Sequence, residues 1–395
     1  MPPVRNDNRL GGAFTRHQVH ALAAAIGCVS SVGIGLSLSI PLLSLEMERM
    51  GVSSTLIGFN TAVAGLASVL VVPFVPRWAS RFGVNALLWT AILGGAVLLL
   101  LFKLLFSFAW WLLLRFVFAV CLSTLFVLSE YWINAVAPPR RRGLVMGIYA
   151  AVLSLGFSLG PLILVVVGTS GWLPYLTGAA LFLLGALPLV VARALSPGVH
   201  GGTGRSVLSL IFTAPTATLA AFVFGAVETG AIALLPIYGL AIGKDAESAA
   251  TLVSAVALGS ILFQVPIGLM SDRIDRRFVL LLSGFTGLLG ALSIPWLAHS
   301  SFGLYAILTV WGGVSVALYT VGLAHLGARF TGRDLVSANA AFVILYNLGL
   351  TVGPAVVGSG MDIHSPHGFA YALAGFLGFY VVIAAIRIAA ARPIP

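Results

Sequence analysis

Twelve long apolar stretches, separated by short polar connections, run through the whole chain. Stretches of about 18 or more apolar residues read as membrane helices. They predict spans over 19–45, 53–75, 84–102, 108–134, 145–168, 172–194, 209–240, 249–270, 278–298, 302–326, 337–358 and 368–390. The expected fold class is therefore an all-α polytopic membrane protein, with no place for a large soluble domain. A hydrophobic fraction of 59% and only 8% charged residues agree with that reading.

The connections alternate in charge. One set carries Arg5, Arg9, Arg16, Arg77, Arg81, Arg140, Arg141, Arg142, Arg193, Arg205, Arg273, Arg276, Arg277, Arg329, Arg333, Arg387 and Arg392. The other carries only Arg49, Lys103 and Lys244, with Glu46, Glu48, Asp245 and Glu247 close by in sequence. Seventeen basic residues against three predict, by the positive-inside rule, that both termini are cytoplasmic in a cell inner membrane. The net charge of +10 is thus a topology signal facing the lipid bilayer, and nucleic acid is not an expected partner.

Cys28 and Cys121 lie inside spans without pairing or metal-ligand spacing, so they read as small packing residues. The run after the polar first 18 residues is too long for a cleaved signal and reads as a retained first helix. Most of the 45 glycines fall within spans, where small residues let helix backbones approach closely.

The second half of the chain repeats the first. Ile40-Pro41-Leu42-Leu43 answers Leu235-Pro236-Ile237-Tyr238 at an offset of 195. Pro76–Gly83 answers Gly268–Asp275 at 192, and Gly156–Pro161 answers Gly349–Pro354 at 193. Three matches in order predict two six-helix halves, 1–195 and 208–395, joined by a polar linker over 196–207. An even number of spans per half makes the halves parallel, related by an axis along the membrane normal.

On these residues the chain resembles the major facilitator superfamily. Gly268-Leu269-Met270-Ser271-Asp272-Arg273-Ile274-Asp275-Arg276-Arg277 is similar to that family's signature loop, with Asp275 where Gly is usual. In the first-half copy Pro76 replaces the leading Gly and Ser80 the Asp. Arg115 matches the arginine of the fourth-helix motif, without the Gly expected after it. Gly156-x-x-x-Gly160-Pro161 matches the core of the fifth-helix antiporter motif, without its trailing glycines. Ser129–Asn134 and the run from Glu228 to Leu240 resemble the YcaD-like branch. The resemblance implies a central cavity lined by spans 1, 4, 7 and 10. It also implies that Asp272 engages the helix start near Gly143 in the other half, gating the outward-facing state with Gly268, Arg273, Arg276 and Arg277.

Glu228 is the leading candidate for chemistry. A carboxyl near the middle of span 7 costs several kcal/mol and must be protonated, paired or facing water. That suits a proton carrier; a neutral acid making one interhelical hydrogen bond is the bland alternative. Arg115 stays charged, about 10 Å below the outer end of span 4 at ~1.5 Å per residue. It must snorkel, or pair with a carboxylate, an anion or backbone carbonyls. Glu130 and His325, near the arginine-rich ends of spans 4 and 10 at an offset of 195, are candidates for gating or proton relay, as against interfacial residues. Tyr319 in span 10 joins them as a cavity candidate. Gly156, Gly160 and Pro161, with Gly349, Gly353 and Pro354, read as helix hinges or static kinks. Trp110, Trp111, Phe116, Phe118, Phe222, Phe224 and Trp311 offer apolar surface to a cavity.

Phosphate loops, His-x-x-x-His pairs and cysteine clusters are missing from the sequence, so no cofactor, metal or enzyme activity is expected. The expected function is secondary active transport of a small, amphiphilic or apolar solute by a monomer, with proton antiport driving efflux. The alternatives are proton-coupled uptake of an organic anion held by Arg115, and a non-transporting sensor or assembly protein.

Overall fold

A computed structural model describes residues 14–52, 54–191, 195–199 and 206–390. Arg5, Arg9, Arg193, Arg205, Arg392 and residues 200–205 of the expected linker lie outside the described residues. Every regular element among the described residues is helical. In chain order they are α1 (Arg16–Arg49), α2 (Ser54–Val71), α3 (Val75–Phe82), α4 (Val84–Leu104), α5 (Phe108–Val136), α6 (Arg142–Val167), α7 (Leu173–Leu184) and α8 (Leu187–Val191). The second half holds α9 (Val207–Thr213), α10 (Pro215–Ala241), α11 (Ala246–Arg273), α12 (Arg276–Leu297), α13 (Ser301–Arg329), α14 (Gly332–Ile363) and α15 (Gly368–Ala390). Among the described residues, eleven stretches are long and apolar enough to cross a membrane. The 26-residue α6 occupies the place of predicted span 5. The protein is an integral, multi-pass membrane protein.

Predicted spans 6 and 7 are each built from two helices, and the helix of span 2 ends before the predicted boundary. Span 2 is interrupted by a 3₁₀ turn at Val72–Phe74, where Pro73 and Pro76 lack the donors a continuous helix needs. Span 7 breaks at Ala214, held at φ −124° and ψ 52° by the following Pro215. Span 6 breaks around Gly185 and Ala186. The two expected signature loops are also mostly helical: Pro76–Phe82 belongs to α3, and Gly268–Arg273 is the end of α11. Only Ile274 and Asp275 interrupt the second, and Asp275 caps α12 by accepting from the Arg277 N–H at 2.8 Å. Asp245 caps α11 in the same way at Ser248, and that backbone N–H holds its exposed carboxyl below the ordinary carboxylate value. Gly83 closes α3 at φ 84°, a left-handed conformation that a side chain would strain.

The packing repeats in the two halves as the sequence does. In the first, α1 packs on α5, α6, α7 and α8, while α5 also packs on α2 and α4, and α4 on α7. In the second, α10 packs on α13, α14 and α15, while α13 also packs on α11 and α12, and α12 on α15. The halves meet along a seam where α6 faces α11 and α13, and α14 faces α2, α3 and α5.

The hinge candidates work inside each half. A Cβ on Gly156 would meet Gly33 of α1 at 3.4 Å, and one on Gly160 would overlap the Ser37 backbone. On α14, Gly349 faces the Phe222 carbonyl and Gly353 the Ala226 carbonyl of α10. These glycines therefore close the α1–α6 and α10–α14 pairs. Helix α6 runs unbroken through Pro161, and α14 through Pro354. The glycines at the seam itself are others: Gly143, Gly147, Gly268 and Gly327.

At the basic-poor face the few charges neutralise one another. Glu46 lies 3.6 Å from Arg49 and 3.8 Å from Lys103, and Arg49 also donates to the Thr169 carbonyl and hydroxyl.

Candidate functional site

The last turns of α5 are buried on every side from Val127 to Asn134. The helix there touches partners in both halves, which is why its polar residues are enclosed. Glu130 is wholly inaccessible. Its Oε1 accepts a phenol hydrogen from Tyr149 of α6 at 2.6 Å and another from Tyr319 of α13 at 2.5 Å. One carboxyl oxygen thus ties its own half to the other. Its Oε2 is buried with no partner among the described residues.

A second carboxyl lies between two helices of the second half. Glu228, midway along α10, accepts from the Tyr346 hydroxyl of α14 at 2.7 Å, and it remains half-buried. The rings of Tyr319 and Tyr346 stand 5.1 Å apart edge to face, and Phe224 stacks on Tyr346 at 6.0 Å. The two acids are therefore joined by a short aromatic bridge. Among the described residues, neither acid takes part in the ion pairs. A lone charge so enclosed is costly by several kcal/mol, and the phenol donors offset only part of that. Such groups suit proton exchange better than permanent charge.

The third cluster closes the arginine-rich end of the seam. Asp272, at the end of α11, accepts from the Gly143 N–H at 2.6 Å and the Leu144 N–H at 2.8 Å, at the start of α6. This is the helix start that the family resemblance implied. Arg276 adds a contact of 3.2 Å to the same carboxylate. The unsatisfied donors and positive end of α6 make this a favourable place for an anion. The backbones touch here: a Cβ on Gly143 would overlap the Gly268 carbonyl, and one on Gly268 the Gly143 carbonyl. One turn away, Asn134 packs on Gly327, and Arg142 donates to the Asn134 carbonyl at 3.2 Å. Arg273 and Arg277 point outward instead, lining a cleft of about 380 Å³ with Arg140 and His325.

His325 therefore stands at the basic mouth, apart from Glu130. Arg115 is 3% exposed, and its Nε and Nη1 find no partner among the described residues. Of the aromatic residues expected at a cavity, Trp111 donates to the Phe102 carbonyl of α4 at 2.9 Å, and Phe118 packs on Phe102 and Phe182. These belong to the interior of the first half; Phe224 alone of that set joins the aromatic bridge described above. Tyr149 and Tyr346 escaped the sequence reading. Their signal was a single hydroxyl inside an apolar span, which is also how an interfacial tyrosine looks.

Comparison with known proteins gives a consistent picture. The family model described as Major Facilitator Superfamily matches residues 25–243 and again residues 217–394. Among curated relatives, YfkF of Bacillus subtilis is 25% identical over 348 residues, covering 84% of this chain and 86% of its own. YcaD of Escherichia fergusonii is 29% identical over 293 residues, covering 72% and 74%. Both are described as uncharacterized MFS-type transporters. Among solved structures, the transporter FucP in its outward conformation aligns with a TM-score of 0.78 over 95% of this chain and all of its own, at 16% identity. The human organic anion transporter MFSD10 aligns at 0.74 over 94% of this chain and all of its own, at 14% identity. At these identities the likeness concerns the fold.

Proposed function

This chain belongs to the major facilitator superfamily and is a secondary transporter, and we propose that it exports a small amphiphilic or apolar solute in exchange for protons. It works as a monomer in the inner membrane, with its arginine-rich face and both termini in the cytoplasm. Residues 1–195 and 208–395 are the moving halves, and 196–207 connects them. Asp272 of α11, bound at the start of α6 with Gly268, Arg273, Arg276 and Arg277 around it, closes the cytoplasmic side during the outward-facing phase.

The observation that carries the reading is Glu228: an acid at mid-span, half-buried, held by a phenol hydroxyl and with no ion pair among the described residues. A carboxyl so placed binds a proton when enclosed and gives it up when water reaches it. Alternating access supplies that change of surroundings, so proton release is tied to the conformational cycle. The partial antiporter motif at Gly156, Gly160 and Pro161 supports export over uptake.

The test is transport in proteoliposomes with an imposed pH gradient, screening amphiphilic solutes while proton flux is recorded. Glu228→Gln keeps the shape and a hydrogen-bond acceptor but does not titrate. Gradient-driven transport should vanish while exchange without a gradient persists. Full proton-driven transport by this variant would refute the assignment.

Arg115 motivates a second reading. Its buried guanidinium, with two nitrogens unpartnered among the described residues, suits an organic anion entering from the outer side, which would make the protein a proton-coupled importer. Uptake of an organic anion that is lost in Arg115→Gln and retained in Glu228→Gln would favour it.

A further inference from the structure

Glu130 joins the two halves through one atom. Tyr149 reaches its Oε1 from the same half and Tyr319 from the other, while Oε2 stays buried and unpartnered among the described residues. The titratable groups facing it are these two phenols, with Tyr346 behind Tyr319. Arg142, the nearest cation in this network, lies a turn further toward the arginine-rich end, engaged on the Asn134 carbonyl. A carboxylate in this clasp would leave a full charge on an enclosed oxygen, a far greater cost than one unpaired hydroxyl. The neutral acid fits: its carbonyl oxygen takes both phenol hydrogens, and only its own O–H lacks a partner. Opening the seam carries Tyr319 away with α13 and lets water reach both oxygens, which stabilises the ion.

We propose that Glu130 is a protonation-sensitive latch between the halves, distinct from the Asp272 contact. Neutral, it holds Tyr319 and keeps the cytoplasmic side shut. When it ionises, its O–H bond breaks, the proton passes to cytoplasmic water, and the side stays open. Tyr319 is the cross-seam positioning residue, and Tyr149 orients the carboxyl from its own half. The inference rests on the proton-coupled reading above, and it adds a second titrating group at the exit.

The experiment uses the full chain in lipid nanodiscs, with Cys28 and Cys121 replaced by alanine. Spin labels at Ser80 and Phe278, both exposed at the arginine-rich ends of their halves, report the opening. Distance distributions are recorded from pH 5 to pH 9. In the otherwise unchanged protein the ratio of open to closed should rise with pH, by up to about tenfold per unit for one linked proton. Glu130→Gln offers a carbonyl to both phenols and cannot ionise, so it should lie further toward the closed state and keep only the part of the slope that Glu228 supplies. Tyr319→Phe removes a single oxygen and should be more open than the parent at every pH. Tyr149→Phe keeps the cross-seam bond and should keep the slope. A parent without a slope, a Glu130→Gln variant whose slope is as steep as the parent's, or a Tyr319→Phe variant indistinguishable from Tyr149→Phe would each overturn the latch. Glu228→Gln in the same assay separates the two claims: it should lose gradient-driven transport yet keep the slope due to Glu130. Normal transport by Glu228→Gln would overturn the function without touching the latch.

Discussion

Replacing Asp272 by Asn removes one charge from the seam and alters almost nothing else in volume. In the closed structure the carboxylate takes two backbone hydrogens, from Gly143 at 2.6 Å and Leu144 at 2.8 Å, with its side chain nearly buried. A hydrogen bond to a charged acceptor contributes ~1.5–3 kcal/mol net. The positive end of α6 adds roughly 0.3–2 kcal/mol in a partly buried setting. An Asn can satisfy one N–H with its carbonyl oxygen, but its NH₂ turns a donor toward the other N–H. The Arg276 contact at 3.2 Å also loses its anion. The closed state should therefore lose about 2–4 kcal/mol relative to the open one, where water solvates either residue. At 1.4 kcal/mol per factor of ten, the ratio of open to closed rises roughly 30- to 1000-fold. The Ser80–Phe278 spin-label pair reads that ratio directly, and solute accessibility from the cytoplasmic side should rise with it. Expression and folding should hold, because the bonds lie between the halves and not within either. A change of less than about threefold would mean that the helix start is equally well satisfied without the charge, and the clamp argument would fail.

Gly143→Ala should also open the seam, because its Cβ would overlap the Gly268 carbonyl and the Ser271 hydroxyl while every charge stays in place. An unchanged distance distribution in that variant would contradict the close backbone approach. Tyr346→Phe removes the donor to Glu228 but keeps the ring stacked on Phe224, so folding should persist while proton-driven turnover falls several-fold. Tyr346→Ala should in addition lower thermal stability in detergent, since emptying a packed aromatic site costs ~3–5 kcal/mol; equal turnover in the Phe variant would dismiss the hydroxyl. Cysteines near Arg142 or Arg276 should resist impermeant reagents in intact cells while one near Asp362 reacts, and the reverse pattern would invert the assigned orientation.

Local chemistry was enough to mark the long apolar spans and the repeat, and to predict on which side the arginines lie. An apolar run of sufficient length has few other stable environments, and a bilayer leaves its backbone little choice but a helix. The positions of Pro73, Pro76 and Pro215 even held the signal for the breaks that the span reading passed over. Glu228 stood out as an acid at mid-span, and Glu130 as a candidate relay near a helix end. Of their partners only Tyr319 was named, and the pairing was not legible, because contact between helices depends on which faces meet. Tyr149, Tyr319 and Tyr346 come from three helices, and nothing in their neighbours separates them from tyrosines at an interface. The glycines divide on the same ground. Gly156 and Gly349 close packing inside the halves, while Gly143 and Gly268 let the halves touch, and sequence spacing is blind to that distinction. Arg115 shows the limit from the other side: its burial was legible from its span, but that its Nε and Nη1 lack a hydrogen-bond partner among the described residues was decided only by how α5 packs.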